Sequence, residues 1–285
     1  MSTHHPRNDY AAHARASSAD TAMAELLELD AEVLNPYLTR LTSWLAHLAE
    51  PAPTRILDLG SGPGTGSLAL ARQFPEAVVT AVDLSAQMLH RLQKQAATQG
   101  VADRVHVLQA NLDEQWPRIG GEETFDLMWS AAFLHHLTDP HRALRQAFNH
   151  LRPGGLFVVT EMDFFPLFLP RNAGPGRPGL EARLHAATNT RPAHEWTNQL
   201  IEAGFTVTEC RPFEVRLDRE TAGPALNRYA RACLAMLRSH AESALADDDL
   251  AALDALLDDT RADSIGRRGD LTVRTTRTAW VARRS

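Results

Sequence analysis

The sequence predicts an α/β protein built on a doubly wound, mostly parallel seven-stranded sheet. Three observations carry that expectation. From Arg55 onward, short apolar runs alternate with helical segments, the pattern of βαβ units. A glycine-rich turn, Gly60-Ser61-Gly62-Pro63-Gly64, follows the first of those runs directly. Two later extended runs enclose some fifty residues of helical periodicity.

The first twenty residues are polar and are expected to be mobile. Residues 22–34 then carry Met23, Leu26, Leu27, Leu29, Val33 and Leu34 on a helical stripe. Asn35-Pro36 interrupts it. Asparagine is a favoured N-cap and proline a favoured first helical residue, so a second helix is expected over 36–49, ended by Pro51 and Pro53. Strands are predicted at 55–59, 78–83, 105–109, 125–130 and 155–161, with helices at 66–73, 85–98 and 140–151. The glycine and proline density of 171–179 argues for a loop. A helix over 194–203 follows, with Gly204 placed to end it in left-handed geometry.

Residues 205–217 and 271–283 read as strands. Between them Leu226, Tyr229, Cys233 and Leu237 form one apolar stripe, and Leu250, Leu253, Leu256 and Leu257 another. The expected organisation is a helical cap segment at 1–50, an α/β core at 51–218, a helical insertion at 219–268 and the last core strand at 269–285. Open α/β sheets bind ligands outside the strand C-termini. The insertion is expected to cover that end as a lid, or to form a homodimer surface.

Composition narrows the class. The 285 residues are 44% hydrophobic and 22% charged, which excludes disordered and fibrous chains. A formal charge of -6 lacks the positive field of a nucleic-acid binder. Cys210 and Cys233 are too few for a disulfide framework or a four-cysteine zinc site. The most apolar stretch, 164–169, is far short of the roughly 18 residues a membrane span needs. A soluble cytoplasmic protein, with neither nucleic acid nor membrane as partner, is the expectation.

The glycine turn is the most informative segment. Glycines after a strand allow a tight bend and close approach of backbone to a ligand. Nineteen residues beyond Gly64, Asp83 ends the next strand, where a carboxylate can accept hydrogen bonds from both hydroxyls of a ribose. A nucleoside-containing ligand follows. The dinucleotide fingerprint G-x-G-x-x-G/A is formally met by Gly64-Thr65-Gly66-Ser67-Leu68-Ala69, which would make the chain a nicotinamide-dependent oxidoreductase. Register argues against it, since Gly64 lies five residues beyond Leu59 rather than directly after the strand.

The segment Asp58-Leu59-Gly60-Ser61-Gly62-Pro63-Gly64 resembles motif I of class I S-adenosylmethionine-dependent methyltransferases, an acidic residue, any residue, then G-x-G-x-G. That resemblance implies that Gly60, Ser61, Gly62 and Gly64 cradle the methionine part of the cofactor and that Asp58 helps to bind its amino group. It makes Asp83 the ribose-binding acid, with Leu84 and Met88 beside the adenine. Ala110-Asn111-Leu112 is similar to the segment after the third strand, with Asn111 in place of the usual aspartate at the adenine amino group. Residues 125–130, ending at Ser130, and residues 151–159 are similar to the fourth-strand motif and to the turn that launches the fifth strand. The resemblance covers about 55–204 and the final strand.

What the family's chemistry asks for is chiefly proximity and alignment, worth up to about 7–11 kcal/mol. If the acceptor carries a proton, a histidine near neutral pKa suits its removal. His135, at the mouth after the fourth strand, is the candidate general base, and packing is the expectation for His136. Asp139 is expected to cap the next helix. Glu161 is expected as a solvated strand-end carboxylate, with binding of the acceptor or orientation of a histidine as its alternative roles. The carboxylates of metal-dependent catechol methylation are missing at Trp129-Ser130, so no metal is expected. Ser130-Ala131-Ala132-Phe133 lacks the proline segment of DNA methyltransferases and the paired glutamates of protein arginine methyltransferases. The resemblance therefore implies S-adenosylmethionine-dependent transfer to a small organic acceptor, in secondary metabolism. A cofactor binder that transfers nothing shares the same signature.

Overall fold

A computed structural model describes residues 6–114, 116, 124–173, 177–188 and 196–285, with side chains of the first helix described from Asp20 onward. Helix α1 (Pro6–Val33) and helix α2 (Asn35–Leu48) precede strand β1 (Arg55–Leu59). Then come α3 (Thr65–Gln73), β2 (Val78–Asp83), α4 (Ala86–Thr98), β3 (Val105–Gln109) and β4 (Phe125–Ala131). A 3₁₀ turn at Leu134–His136 leads to α5 (Pro140–His150), β5 (Leu151–Met162), α6 (Leu180–Ala187), α7 (Thr197–Glu202) and β6 (Phe205–Asp218). The insertion comprises α8 (Arg219–Ala222), α9 (Ala225–Ala241), α10 (Asp247–Leu257) and a 3₁₀ turn at Ile265–Arg267, before β7 (Thr272–Arg284).

The strands form one sheet in the order β3-β2-β1-β4-β5-β7-β6. The first five run parallel, and β7 is antiparallel to both β5 and β6. This is the doubly wound, mostly parallel sheet predicted. Apolar side chains fill both faces: Ile56, Trp129 and Val158 look toward α1, α2 and α9, while Leu57, Met128 and Phe157 look toward α5 and α7. The reversal of strand order between β1 and β4 opens the crevice in which such sheets bind ligands.

Four expectations need correction. Helix α1 starts at Pro6, well before the apolar stripe, where a mobile segment is expected; residues 1–5 lie outside the described residues. Asn35 does not cap α2. It is the helix's first residue and Leu34 holds the cap position with no side-chain bond, because α1 runs almost directly into α2. Strand β5 begins at Leu151, since Leu151 already pairs with Phe125 before an irregularity in the ladder. Helix α6 was not foreseen; it follows the glycine- and proline-rich stretch, of which 174–176 lie outside the described residues, as do 194 and 195 at the expected start of α7. Gly204 follows α7 with φ 102°, the left-handed geometry expected.

The cap is tied down from several elements. Asp30 of α1 accepts hydrogen bonds from the Arg277 guanidinium on β7 and the Tyr229 hydroxyl on α9. Tyr37 of α2 bonds to Thr160 of β5 through its hydroxyl at 2.9 Å, under the Arg277 guanidinium. Burial, and then the Asp30 carboxylate, hold the Tyr229 phenol well above its ordinary pKa, so it remains a donor. No described helix is long and apolar enough to cross a membrane.

Candidate active site

The glycine turn bends at the carboxyl end of β1 with Gly60, Gly62 and Gly64 at φ 69°, 53° and 96°. Residues with side chains avoid that region, so the bend depends on these glycines. The Gly62 N–H donates to Asp83 Oδ2 at 2.8 Å, and the Ser85 N–H donates to Oδ1 at 2.8 Å. Asp83 is thus held by backbone at the end of β2 and has no ion-pair partner among the described residues. Each carboxylate oxygen retains a further acceptor position for a ligand hydroxyl.

Asp58 lies beneath the turn, 2% exposed, and accepts from the Ser67 hydroxyl at 2.6 Å. Burial pushes its carboxyl up to about 7, against the Ser67 hydrogen bond and with a smaller push from Asp83. Positive charge brought near would favour the ionised form. The Ser61 and Ser130 hydroxyls on the same rim are buried and have no partner among the described residues. Unpaired buried hydroxyls are costly, so a polar ligand that supplies partners fits this rim.

The glycines of the two registers differ in what lies beside them. A Cβ on Gly64 would lie 2.1 Å from Leu92 Cδ1, and one on Gly66 would lie 2.6 Å from Trp129 Nε1. Both positions are small because protein side chains occupy the adjoining space. The late register's Gly64 and Gly66 are thus used in packing, as Gly60 of the early register is against Phe133. A Cβ on Gly62 would meet, among the described residues, only Leu27 of α1, at 3.6 Å.

Other predicted residues surround the turn less uniformly. Met88 is buried, whereas Leu84 is 62% exposed. The Asn111 carbonyl accepts the Asp113 N–H at 3.1 Å, which leaves it one acceptor position. Leu112 is buried in the core between the sheet and α5. Asp139 caps α5 by accepting the Arg142 N–H at 2.9 Å, as expected.

Two features escaped sequence reasoning. Ala132 has φ 49°, an unusual conformation for a residue with a Cβ, and sets Phe133 against the turn. The Phe133 ring fills the space a Cβ on Gly60 would need, 2.0 Å from it at Cγ. Second, Glu161 is not solvated. It is 5% exposed, and its Oε2 lies 2.9 Å from His135 Nδ1. A charged residue ending the apolar run 156–159 was the signal available. The His136 ring packs against His135 at a tilt of 42° with ring centroids 4.1 Å apart, and burial, then His135, lower its pKa.

A family model described as a methyltransferase domain matches residues 56–155, which span the glycine turn, Asp83 and the 3₁₀ turn. Residues 56–155 are thus similar to a methyltransferase domain. The chain is 32% identical over 185 residues to the malonyl-[acyl-carrier protein] O-methyltransferase of Laribacter hongkongensis, covering 62% of this chain and 57% of that protein. It is 33% identical over 147 residues to the 27-O-demethylrifamycin SV methyltransferase of Amycolatopsis mediterranei, covering 51% of each. The chain thus spans little more than half the length of these curated relatives.

In fold, the chain resembles the YcgJ protein of Bacillus subtilis, with TM-score 0.52, 17% identity and coverage of 85% of this chain and 97% of that one. Coclaurine N-methyltransferase, solved with N-methylheliamine and S-adenosylhomocysteine, superposes with TM-score 0.51 at 14% identity, covering 86% of this chain and 72% of that one. At such identities the likeness is one of fold.

Proposed function

We propose that the chain is a cytoplasmic enzyme of secondary metabolism that transfers the methyl group of S-adenosylmethionine to a small organic acceptor. The observation that carries this reading is the shared rim of turn and acid, in which the Gly62 N–H donates to the Asp83 carboxylate. In this reading Asp83 accepts the ribose hydroxyls, Gly60, Ser61, Gly62 and Gly64 border the methionine part, and Asp58 favours its ammonium. Leu84, Met88, Asn111 and Leu112 border the adenine, and Ser130 offers its hydroxyl beside them. When bound, the cofactor supplies an electrophilic methyl group on a positively charged sulfur. His135 receives the acceptor's proton. Residues 1–50 and 219–268 serve as one cap over a core of 51–218 and 269–285, a reading supported by the Asp30 bonds to Tyr229 and Arg277.

Titration calorimetry with S-adenosylmethionine and with NAD tests the cofactor, and release of S-adenosylhomocysteine in the presence of small acceptors tests transfer. Binding of S-adenosylmethionine alone is expected. Asp83→Ala should weaken it tenfold or more, since hydrogen bonds to a charged group contribute about 1.5–3 kcal/mol. Tight NAD binding without S-adenosylmethionine binding would refute the proposal.

A further inference from the structure

Away from the crevice, helix α2 and strand β6 enclose a cleft of about 400 Å³ at the outer edge of the sheet. Arg40, Ser43, Trp44 and His47 stand at i, i+3, i+4 and i+7 along α2, so one helical face presents all four to it. Arg211 and Phe213, two positions apart on β6, supply the opposite wall. Strands β5 and β7 lie between β6 and the crevice beside β4, so the cleft is separate from the glycine turn.

Charge and geometry suit this cleft to an organic anion. The Arg211 guanidinium lies over two rings, 5.5 Å from the Trp44 centroid and 4.9 Å from that of Phe213. Rings that hold the flat face of a guanidinium leave its N–H edges to bind oxygen. Arg211 makes no hydrogen bond or ion pair among the described residues, whereas Arg152, Arg183 and Arg238 each pair with a carboxylate. Arg40 is steadied by one bond, donated from Nη2 to the Glu214 carbonyl at 3.0 Å, and keeps its other donors. Among the described residues no carboxylate lines the cleft, and Glu209, two residues before Arg211, forms no ion pair with it. In a chain of formal charge -6, two permanent cations without a carboxylate between them reverse the prevailing field locally.

We propose that this cleft is a second binding site, one for small phosphate monoesters with an aromatic body. A phosphate monoester carries nearly two negative charges at neutral pH, which a pair of guanidiniums matches better than it matches a single carboxylate. Its oxygens accept from the edges of Arg40 and Arg211, with the Ser43 hydroxyl and the His47 imidazole as further donors. Its organic body lies against the Trp44 indole, which is half-buried and set edge-on to Phe213 with centroids 5.5 Å apart.

Titration of the nitrogen-15-labelled full chain with phenyl phosphate reads the cleft through the indole N–H signals of its tryptophans. Trp44→Phe assigns the Trp44 signal. Phenyl phosphate is expected to shift that signal saturably, and to bind about tenfold more tightly than either benzoate or inorganic phosphate. Arg40→Gln and Arg211→Gln should each weaken it about tenfold, the effect of losing one charge-assisted contact. Both arginines are exposed, so the thermal melts of these variants should stay near that of the wild type. A Trp44 signal that stays in place at millimolar phenyl phosphate would overturn the proposal. So would an affinity unaltered in both arginine variants, or inorganic phosphate or benzoate binding as tightly as phenyl phosphate.

Discussion

The rim over β1 and β2 and the rim over β5 and β7 meet at the same crevice, yet they are built in opposite ways. Over β1 and β2 the partners are near in sequence: Asp58 with Ser67, 9 positions apart, and Gly62 with Asp83, 21 apart. Over β5 and β7 they are remote, with Tyr37 meeting Thr160 across 123 positions and Asp30 meeting Arg277 across 247. The first rim is finished once one βαβ unit has folded. The second exists only after the helices at both ends of the chain have docked on the sheet. A cofactor site shared by many proteins can be local, whereas a site for a particular acceptor draws on whatever the cap supplies.

Removing one partner from the remote rim should have the largest effect on stability. Asp30→Ala leaves the Arg277 guanidinium, 15% exposed, without its carboxylate. Breaking a buried pair from one side costs about 3–5 kcal/mol, visible as a lower denaturation midpoint with an unchanged slope. Cofactor affinity of the folded protein should be nearly unaltered. A loss below 1 kcal/mol would mean that the cap is held elsewhere.

On the local rim the stored energy lies in a protonation state. The folded-state pKa of Asp58 is raised from 3.8 to about 7, so its contribution to stability is complete below about pH 4 and is lost as pH rises toward 7. The amount is on the order of 4 kcal/mol. Glu181 is also pushed up to about 7, chiefly by burial, and adds a dependence of the same sign. Comparing wild type with Asp58→Asn isolates the local term: urea denaturation across this range should show a shallower decline in the variant. Parallel curves would place the ionised Asp58 in the folded protein.

The same contrast explains what could be read in the sequence. Strands β1, β2 and β3 have the predicted bounds because each apolar run is closed by turn residues within a few positions. Gly60, Gly62, Gly64 and Asp83 were legible because one loop and the next strand bring them together. Glu161 was misjudged as solvated because its burial comes from strand β7 pairing beside it, more than a hundred residues later. Ala132 gave no signal at all, since alanine carries no mark of a left-handed backbone. The Asp30–Arg277 pair was equally invisible, for neither residue's neighbours indicate a partner at the far end of the chain.

Within the glycine turn, two apparently equal positions should behave differently. Gly64→Ala places a Cβ 2.1 Å from Leu92 Cδ1 at φ 96°, adding a clash to the left-handed penalty, for a loss of about 2–3 kcal/mol. At Gly62 the nearest atom would be Leu27 Cδ1 at 3.6 Å, so Gly62→Ala should cost only the backbone term of about 1 kcal/mol. Thermal melts of the two variants check the difference, and equal losses would mean that Leu92 yields.

The smallest effect is expected where the two rims share an element. Helix α1 reaches from the local rim, where Leu27 lies over Gly62 and Glu28 pairs with Arg91 of α4 at 3.1 Å, to the remote rim at Asp30. Both residues of the Glu28 pair are partly open to water, at 33% and 25% exposure, and such pairs contribute about 0–1 kcal/mol. Glu28→Ala should therefore lower the unfolding free energy by less than about 1 kcal/mol, and by less still at high salt, which screens the pair further. One helix then carries a strong anchor at Asp30 and a weak contact less than a turn before it. A Glu28→Ala loss equal to that of Asp30→Ala would erase that asymmetry and make α1 as firmly part of the local rim as of the remote one.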